Sequence, residues 1–338
     1  MATAVTWPSQ KQALWLAKET TQGTSVFTSM AEMPVDSFQP EDTVTWLDDQ
    51  ALRNAMAGLY GRQQGPLHVE FEGAGPAYMD MLPYFLVNIL GDISTTGASA
   101  PFSHAISLLN SGGAQPGSLT LVQWQGTPAT SACRFLSGCC LSELTLTGNA
   151  DSEYIGLSFK GSGWATGDVP TAAPASNLTA ATPMATWRYQ LGQGGTVAGS
   201  PNKTVREFGV TITRALRVEN TMQNSQAPYI IQRGAVTTSG SLTYTVPSDE
   251  TALNALINNT QPQIQLLGTQ GAAATLLSMQ LDMLLTAWDT AKIKLDEEAV
   301  GYDVTWVGVA NTTNVGGSGG YSPIKATIQN ALPSGTYS

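Results

Sequence analysis

Few side chains in this sequence have the type and spacing that chemistry requires. Gly316-Gly317-Ser318-Gly319-Gly320 is the one Gly-x-Ser-x-Gly match, a pattern that makes a nucleophile when the serine turns from a strand into a helix and a histidine can take its proton. Here it lies in a glycine run with no helical pattern after it, and both histidines, His68 and His104, are far upstream. Lys203-Thr204 lacks the glycine framework of a phosphate loop, and Gly192-Gln193-Gly194-Gly195 does not complete a dinucleotide fingerprint. Cys139 and Cys140 are adjacent, so on a strand they point to opposite faces and cannot both hold one ion without distortion. Asp296-Glu297-Glu298 reads as a solvated hairpin tip. No catalytic residue, metal or cofactor is expected, and a hydrolase working through Ser318 ranks behind every non-enzymatic reading.

The elements that would position such groups are mostly strands. Phe208, Val210 and Ile212 alternate with Glu207, Gly209, Thr211 and Thr213. Val236, Thr238, Gly240, Leu242 and Tyr244 alternate with Thr237, Ser239, Ser241 and Thr243, which gives one strand a wholly hydroxyl-bearing second face. Leu277, Met279, Leu281 and Met283 repeat the pattern, as do Tyr302, Val304 and Trp306. Period two marks strands covered on one face. One amphipathic helix interrupts them, with Ser248 as N-cap, Asp249 and Glu250 at its positive end, and Leu253, Leu256 and Ile257 as its apolar stripe. Trp164 and Trp306, on strands, read as core or interface rather than a sugar platform.

Composition bounds the rest. The 338 residues carry 12% charged side chains, against about 25% in typical soluble domains. So thin a charge cover over the roughly 13,000 Å² that a compact monomer of this mass exposes points to surface buried against other copies. A net charge of -10 argues against gripping phosphates, which needs clustered Lys and Arg. No apolar run is long enough to span a membrane, the first ten residues show no export signal, and three crowded cysteines make no disulfide framework. A soluble protein in a reducing compartment is expected.

Punctuation divides the chain into an arm (1–34), a first body (35–162), a Gly/Ala/Thr/Pro-rich linker (163–184), a second body (185–310) and a draped or mobile tail (311–338). The two bodies follow one plan. Leu67, Val69 and Phe71 match the strand Val236 to Tyr244, and Leu59-Tyr60-Gly61-Arg62-Gln63-Gln64-Gly65 resembles Tyr229-Ile230-Ile231-Gln232-Arg233-Gly234 just before it. Each strand is followed by a helix candidate, Tyr78 to Leu90 and Ser248 to Asn258, and then by a strand pair. This order is that of a tandem duplication.

With the repeat, the arm Leu16-Ala17-Lys18-Glu19-Thr20-Thr21-Gln22-Gly23-Thr24, the Arg-Gly turns at Arg62 to Gly65 and Arg233-Gly234, and the phrases Phe135-Leu136-Ser137-Gly138-Cys139 and Gly240-Ser241-Leu242-Thr243-Tyr244, the chain resembles tail tube proteins of tailed bacteriophages that carry two tandem tube domains. The resemblance covers nearly the whole chain. It implies a mainly β fold of two tandem sandwich or half-barrel domains, each with one flanking helix, which complete an inner β-barrel on oligomerisation. It further implies a structural virion protein, stacked as trimeric, pseudo-hexameric rings into a conduit for DNA ejection and assembled in the host cytoplasm. Implied partners are copies of itself, a tape-measure protein during assembly, tail terminator and baseplate or tip proteins, and double-stranded DNA passing without tight binding; no membrane is involved.

On that reading His68, Glu70, Glu72, Thr237, Ser239, Ser241 and Thr243 are candidates to face the lumen; equally, those strand faces meet only solvent on an ordinary sheet. The segments Thr45 to Gly65 and Glu219 to Gly234 are too polar for core and become loops toward the adjacent ring, with Trp46, Leu52, Arg53, Met56, Leu59, Arg62, Asn220, Met222, Tyr229 and Arg233 as contact candidates. The alternatives are a tube subunit of a protein-injecting machine and a β-rich carbohydrate-binding module.

Overall fold

The computed structural model describes residues 8–54, 56–126, 133–151, 154–165, 176–178, 183–199, 201–245, 251–294 and 301–337. Its first half runs through β1 (Gln12–Lys18), β2 (Met30–Met33), β3 (Ser37–Asp49), β4 (Gly61–Pro76), α1 (Leu82–Ile89), β5 (Gly91–Thr96), β6 (Phe102–Leu108), β7 (Leu119–Gln125), β8 (Cys133–Asn149) and β9 (Gly156–Ala165). After the short β10 (Ser176–Leu178) come β11 (Tyr189–Gln193), β12 (Pro201–Asn202), β13 (Val205–Glu219), β14 (Ile230–Tyr244) and α2 (Thr251–Ile257). The chain ends with β15 (Ile264–Gln270), β16 (Leu277–Met283), β17 (Thr286–Lys294), β18 (Gly301–Gly308) and β19 (Lys325–Asn330). Among the described residues the fold is mainly β, with two sheets and two α-helices, as the alternating patterns require.

Pairing repeats between the halves. β1 pairs with β2 and β7, as β11 pairs with β12 and β15. β7–β8 corresponds to β15–β16, β8–β9 to β17–β18, β9–β4 to β18–β14, and β3–β4 to β13–β14. Every one of these pairs is antiparallel. The correspondence reaches single residues: Gly73 on β4 lies under the Phe159 ring and Gly240 on β14 under the Trp306 ring, where an added Cβ would come within 2.4 and 2.2 Å of ring carbons.

The two units join edge to edge where β8 pairs with β13. The result is one continuous run of strands, β3-β4-β9-β8-β13-β14-β18-β17, within the larger sheet. Covered residues on this run, among them Val69, Phe71, Leu144, Val210, Leu242 and Trp306, share one apolar core with α1. All eight residues of α1 are buried, as expected of a helix apolar at every position but Asn88, whose amide bonds to Gly117, Cys139 and Leu141.

Two expectations change. Segment 1–34, read as an arm, supplies β1 and β2 to a sheet. The tail expected to drape supplies β19, which lies between β16 and β6 in the second sheet, with Ala326 and Ile328 fully buried. Its glycine run hid a short alternating strand behind it. Through β19 and the β5–β6 hairpin the halves are interleaved. Most of the expected linker, 166–175 and 179–182, lies outside the described residues, as do Ser248 and Asp296-Glu297-Glu298.

Candidate functional site

Antiparallel partners put their side chains on one face, so the register of the eight-strand run defines its open side. Glu70 is opposite Glu41 and Ser162, and Glu72 is opposite Gln39 and Lys160. Lys160 meets Glu143, which meets Thr213, which meets Thr237. Further along, Asn149, Glu207, Thr243, Asp303 and Lys292 form another row, with Asn149 donating to Glu207 at 2.7 Å and Thr243 to Asp303 at 2.9 Å. Hydroxyl pairs fill the middle: Thr145 with Thr211 at 3.0 Å and Thr290 with Thr305 at 2.7 Å. His68, Glu70, Glu72, Thr237, Ser239, Ser241 and Thr243 therefore share one open face, opposite Val69, Phe71, Thr238 and Leu242, which are buried. Glu41, Glu70, Glu72, Glu143, Glu207 and Asp303 against Lys160 and Lys292 leave these rows with a net charge of -4 (two minus six).

Two hairpins run on beyond this sheet at the same end. β9 accompanies β4 only to Val69, and β18 accompanies β14 only to Ser239, while β4 begins at Gly61 and β14 at Ile230. The segments expected as loops are strand at their flanks, where β3 runs to Asp49, β4 starts at Gly61, β13 runs to Glu219 and β14 starts at Ile230, and the turns lie between them, in 50–60 and 220–229. Leu52, Met56 and Met222 are fully exposed there (101%, 103% and 107%), and Trp46, Leu59 and Tyr229 are also exposed. Arg62 pairs with Asp48 at 2.7 Å and covers the Trp46 ring, and Arg53 pairs with Asp49 and covers Tyr60. Asn220 is exposed beside them. The second hairpin leans on the first, with Leu67 N–H donating to the Gln226 carbonyl at 2.9 Å.

Arg233 departs from expectation. It is buried, and its guanidinium donates to the carbonyls of Asn88, Pro116 and Gly117 and to Cys140 Sγ. The cause is a bulge in β14: the register steps from Arg214–Val236 to Leu216–Arg233, adding a residue to β14 and swinging Arg233 to the covered face.

A polar strand face, protruding apolar tips and a duplicated sheet are features of assembly rather than of catalysis. The family profile for phage tail tube protein matches residues 9–329. The chain belongs to the phage tail tube protein family. No curated protein matches it. Membership gives the chain a structural role in a tail tube and a place in the virion tail. Among the described residues no helix is long and apolar enough to cross a membrane.

The remaining chemical candidates have structural roles in this tube protein. Ser318 Oγ donates to the Leu108 carbonyl and accepts from Asn110 N–H, while its own N–H donates to Asp92. Cys133, Cys139 and Cys140 are buried and unpaired by disulfides, and burial pushes the Cys139 thiol well up. Among the described residues no group of three His, Cys, Asp or Glu side chains could hold a metal. Trp306 is core; the exposed Trp46 pairs with Gln64 near the start of β4, whereas the exposed Trp187 follows Ala185, which bridges Tyr154 near the far end of β4 and β9, so these two form no shared sugar platform.

Sequence reading missed two buried charges. Arg214 donates to the carbonyls of Ile89, Ala114 and Gly234, and burial, then the Arg233 charge, pulls it down to about 10. Its parity with Phe208, Val210 and Ile212 was the available signal. Glu19 is buried beside a cavity of about 830 Å³ that Lys18, Gln22, Gln115 and Arg233 also line. A single carboxylate just past the end of β1, next to Lys18, gives no periodic signal.

Proposed function

We propose that three copies of the chain close into a pseudo-sixfold ring and that rings stack into the conduit through which a phage genome leaves. The observation that carries this is the continuous eight-strand sheet, two units of like pairing joined in register and unpaired at both outer edges among the described residues. Open edges invite another chain, and a closed barrel removes them. Three such sheets supply about 24 strands, which at a spacing of about 4.8 Å and a tilt near 45° close at a backbone diameter of about 50 Å, leaving roughly 40 Å for a duplex of about 20 Å.

In this arrangement the open polar face lines the bore. Its carboxylates and hydroxyls give DNA no run of cations to bind, so transit does not stall on accumulated phosphate contacts. Segments 35–162 and 185–310, completed by β1–β2 and by β19, act as the two tube domains, and the apolar tips at 50–60 and 220–229 reach the adjacent ring. Other partners are a tape-measure protein, a terminator and the baseplate or tip, met in the host cytoplasm without membrane attachment; catalysis has no part. Electron microscopy of the purified full-length protein tests the reading. Hollow rods of uniform width with threefold end views are expected, whereas a monomer that persists at high concentration in sedimentation overturns it.

A further inference from the structure

The sheet contains its own pattern for joining two copies. Where β8 meets β13, Glu143 is opposite Thr213, Leu144 opposite Ile212, Thr145 opposite Thr211 and Leu146 opposite Val210. Equivalent strands of the two units can be aligned by their shared pairings. Phe38 pairs with Gly73 as Val210 pairs with Gly240, so β3 is the counterpart of β13 and Gln39 of Thr211. Leu144 pairs with Phe159 as Trp288 pairs with Trp306, and Thr145 with Ser158 as Thr290 with Thr305, so β17 is the counterpart of β8. β3 and β17 are the two strands of the run that pair on one side only.

From this geometry we infer that β17 of one copy pairs antiparallel with β3 of the next in the register of the internal junction, Thr290 opposite Gln39 and Ala287 opposite Glu41. The inference rests on the ring reading and goes beyond it by fixing the two edges, their direction and their register. The covered faces support it independently. Ile293 lies on the covered face of β17, opposite Tyr302 and in line with Ala291 and Trp288, yet it is 58% exposed. In the inferred register its partner is Asp36. Beside the edge of β3 lies a cavity of about 500 Å³ lined by Leu14, Met33, Val35, Asp36 and Phe38 among others. One copy thus offers an apolar side chain left more than half exposed, and the next offers a space at the matching step of the ladder. Pro40 removes at most one ladder donor from that edge, and no like charges meet, since Glu41 faces Ala287.

Paired cysteines test the register. Directly opposed residues have Cα atoms about 4.5–5.5 Å apart, inside the disulfide range of about 4.4–6.8 Å. Full-length Thr290→Cys and Gln39→Cys proteins, mixed and oxidised, are expected to give a linked dimer that neither forms alone, and the double variant a covalent closed ring. Stronger linking of Thr290→Cys to Ser37→Cys or Glu41→Cys, or no linking in particles that microscopy shows to be intact tubes, overturns the register while the tube reading stands. Unaltered protein that never forms rings overturns the tube reading itself. Ile293→Asp is expected to keep the thermal unfolding of the monomer and lose ring formation; rings that persist overturn the seat assigned to Ile293.

Discussion

Glu19 is a buried carboxylate with four donors. One carboxylate oxygen accepts from Thr120 Oγ1 and Gly138 N–H, both at 2.8 Å, and the other from Ser118 Oγ at 2.6 Å and Gly23 N–H at 2.9 Å. Burial raises its pKa although these four donors pull the other way. Glutamine cannot replace it, because either amide orientation turns an NH₂ toward a backbone N–H that cannot rotate away. Glu19→Gln is expected to lose about 1–3 kcal/mol, the cost of buried donors without acceptors, read from chemical denaturation. His104 carries the opposite pH dependence. It is buried between Thr95 Oγ1 and Asn330 Oδ1, at 2.9 and 3.1 Å, and burial lowers its pKa. Asn330 spends its amide protons on Met79 and Tyr337, so the neutral ring donates from Nε2 and accepts at Nδ1. A depressed folded pKa gives stability that is present above the unfolded value of about 6.5 and lost as pH falls through the folded one. The thermal midpoint should fall on acidification below that value, and His104→Gln should flatten the fall; an identical slope would remove His104 as its source.

At the scale of elements, buried arginines couple the halves. Arg214 on β13 and Arg233 on β14 donate to the carbonyls of Ile89 and Asn88 at the end of α1, where a helix leaves acceptors unpaired and favours positive charge. Arg233→Met keeps much of the side-chain length but leaves the Asn88 and Pro116 carbonyls without this donor, while Gly117 keeps the one from Asn88 Nδ2, and a loss of about 1–3 kcal/mol for each orphaned carbonyl is expected in denaturant unfolding. The hairpin tips should behave oppositely. Leu52→Asp with Met56→Asp should leave unfolding within about 0.5 kcal/mol, as exposed sites do, while microscopy shows rings in place of rods; rods of ordinary length would remove the tips from stacking. The alternating runs around Val210, Leu242 and Trp306 and the hydroxyl face of β14 were legible in sequence because period two survives wherever the ladder is regular. Arg233 was not, since a bulge reverses parity without altering composition. Nor was β19, whose pairing with β6 spans more than two hundred residues and leaves no local trace. The open face was legible as polar, whereas its partnership across eight strands depends on register, which no single segment contains.

For the whole molecule, the charge of the open face is the property through which the proposed conduit would act on DNA. Glu70→Lys with Glu72→Lys replaces two carboxylates by ammonium groups on exposed positions of β4, repeated in every subunit along the tube. Tubes are expected to assemble with ordinary dimensions while genome delivery from reconstituted particles slows and becomes salt-dependent, because phosphate contacts release counterions cumulatively. Delivery at the unaltered rate would count against this face as the wall of the bore. The joint between β8 and β13 bears on how a ring starts. Being tethered within one polypeptide, it forms as the chain folds, at an effective concentration that dilution cannot lower. In the proposed threefold ring every second joint therefore arrives already made, and only the alternate ones are governed by how often free subunits collide. A critical concentration for polymerisation should report those alone, and taking assemblies apart by dilution should return intact chains with the inner joint closed.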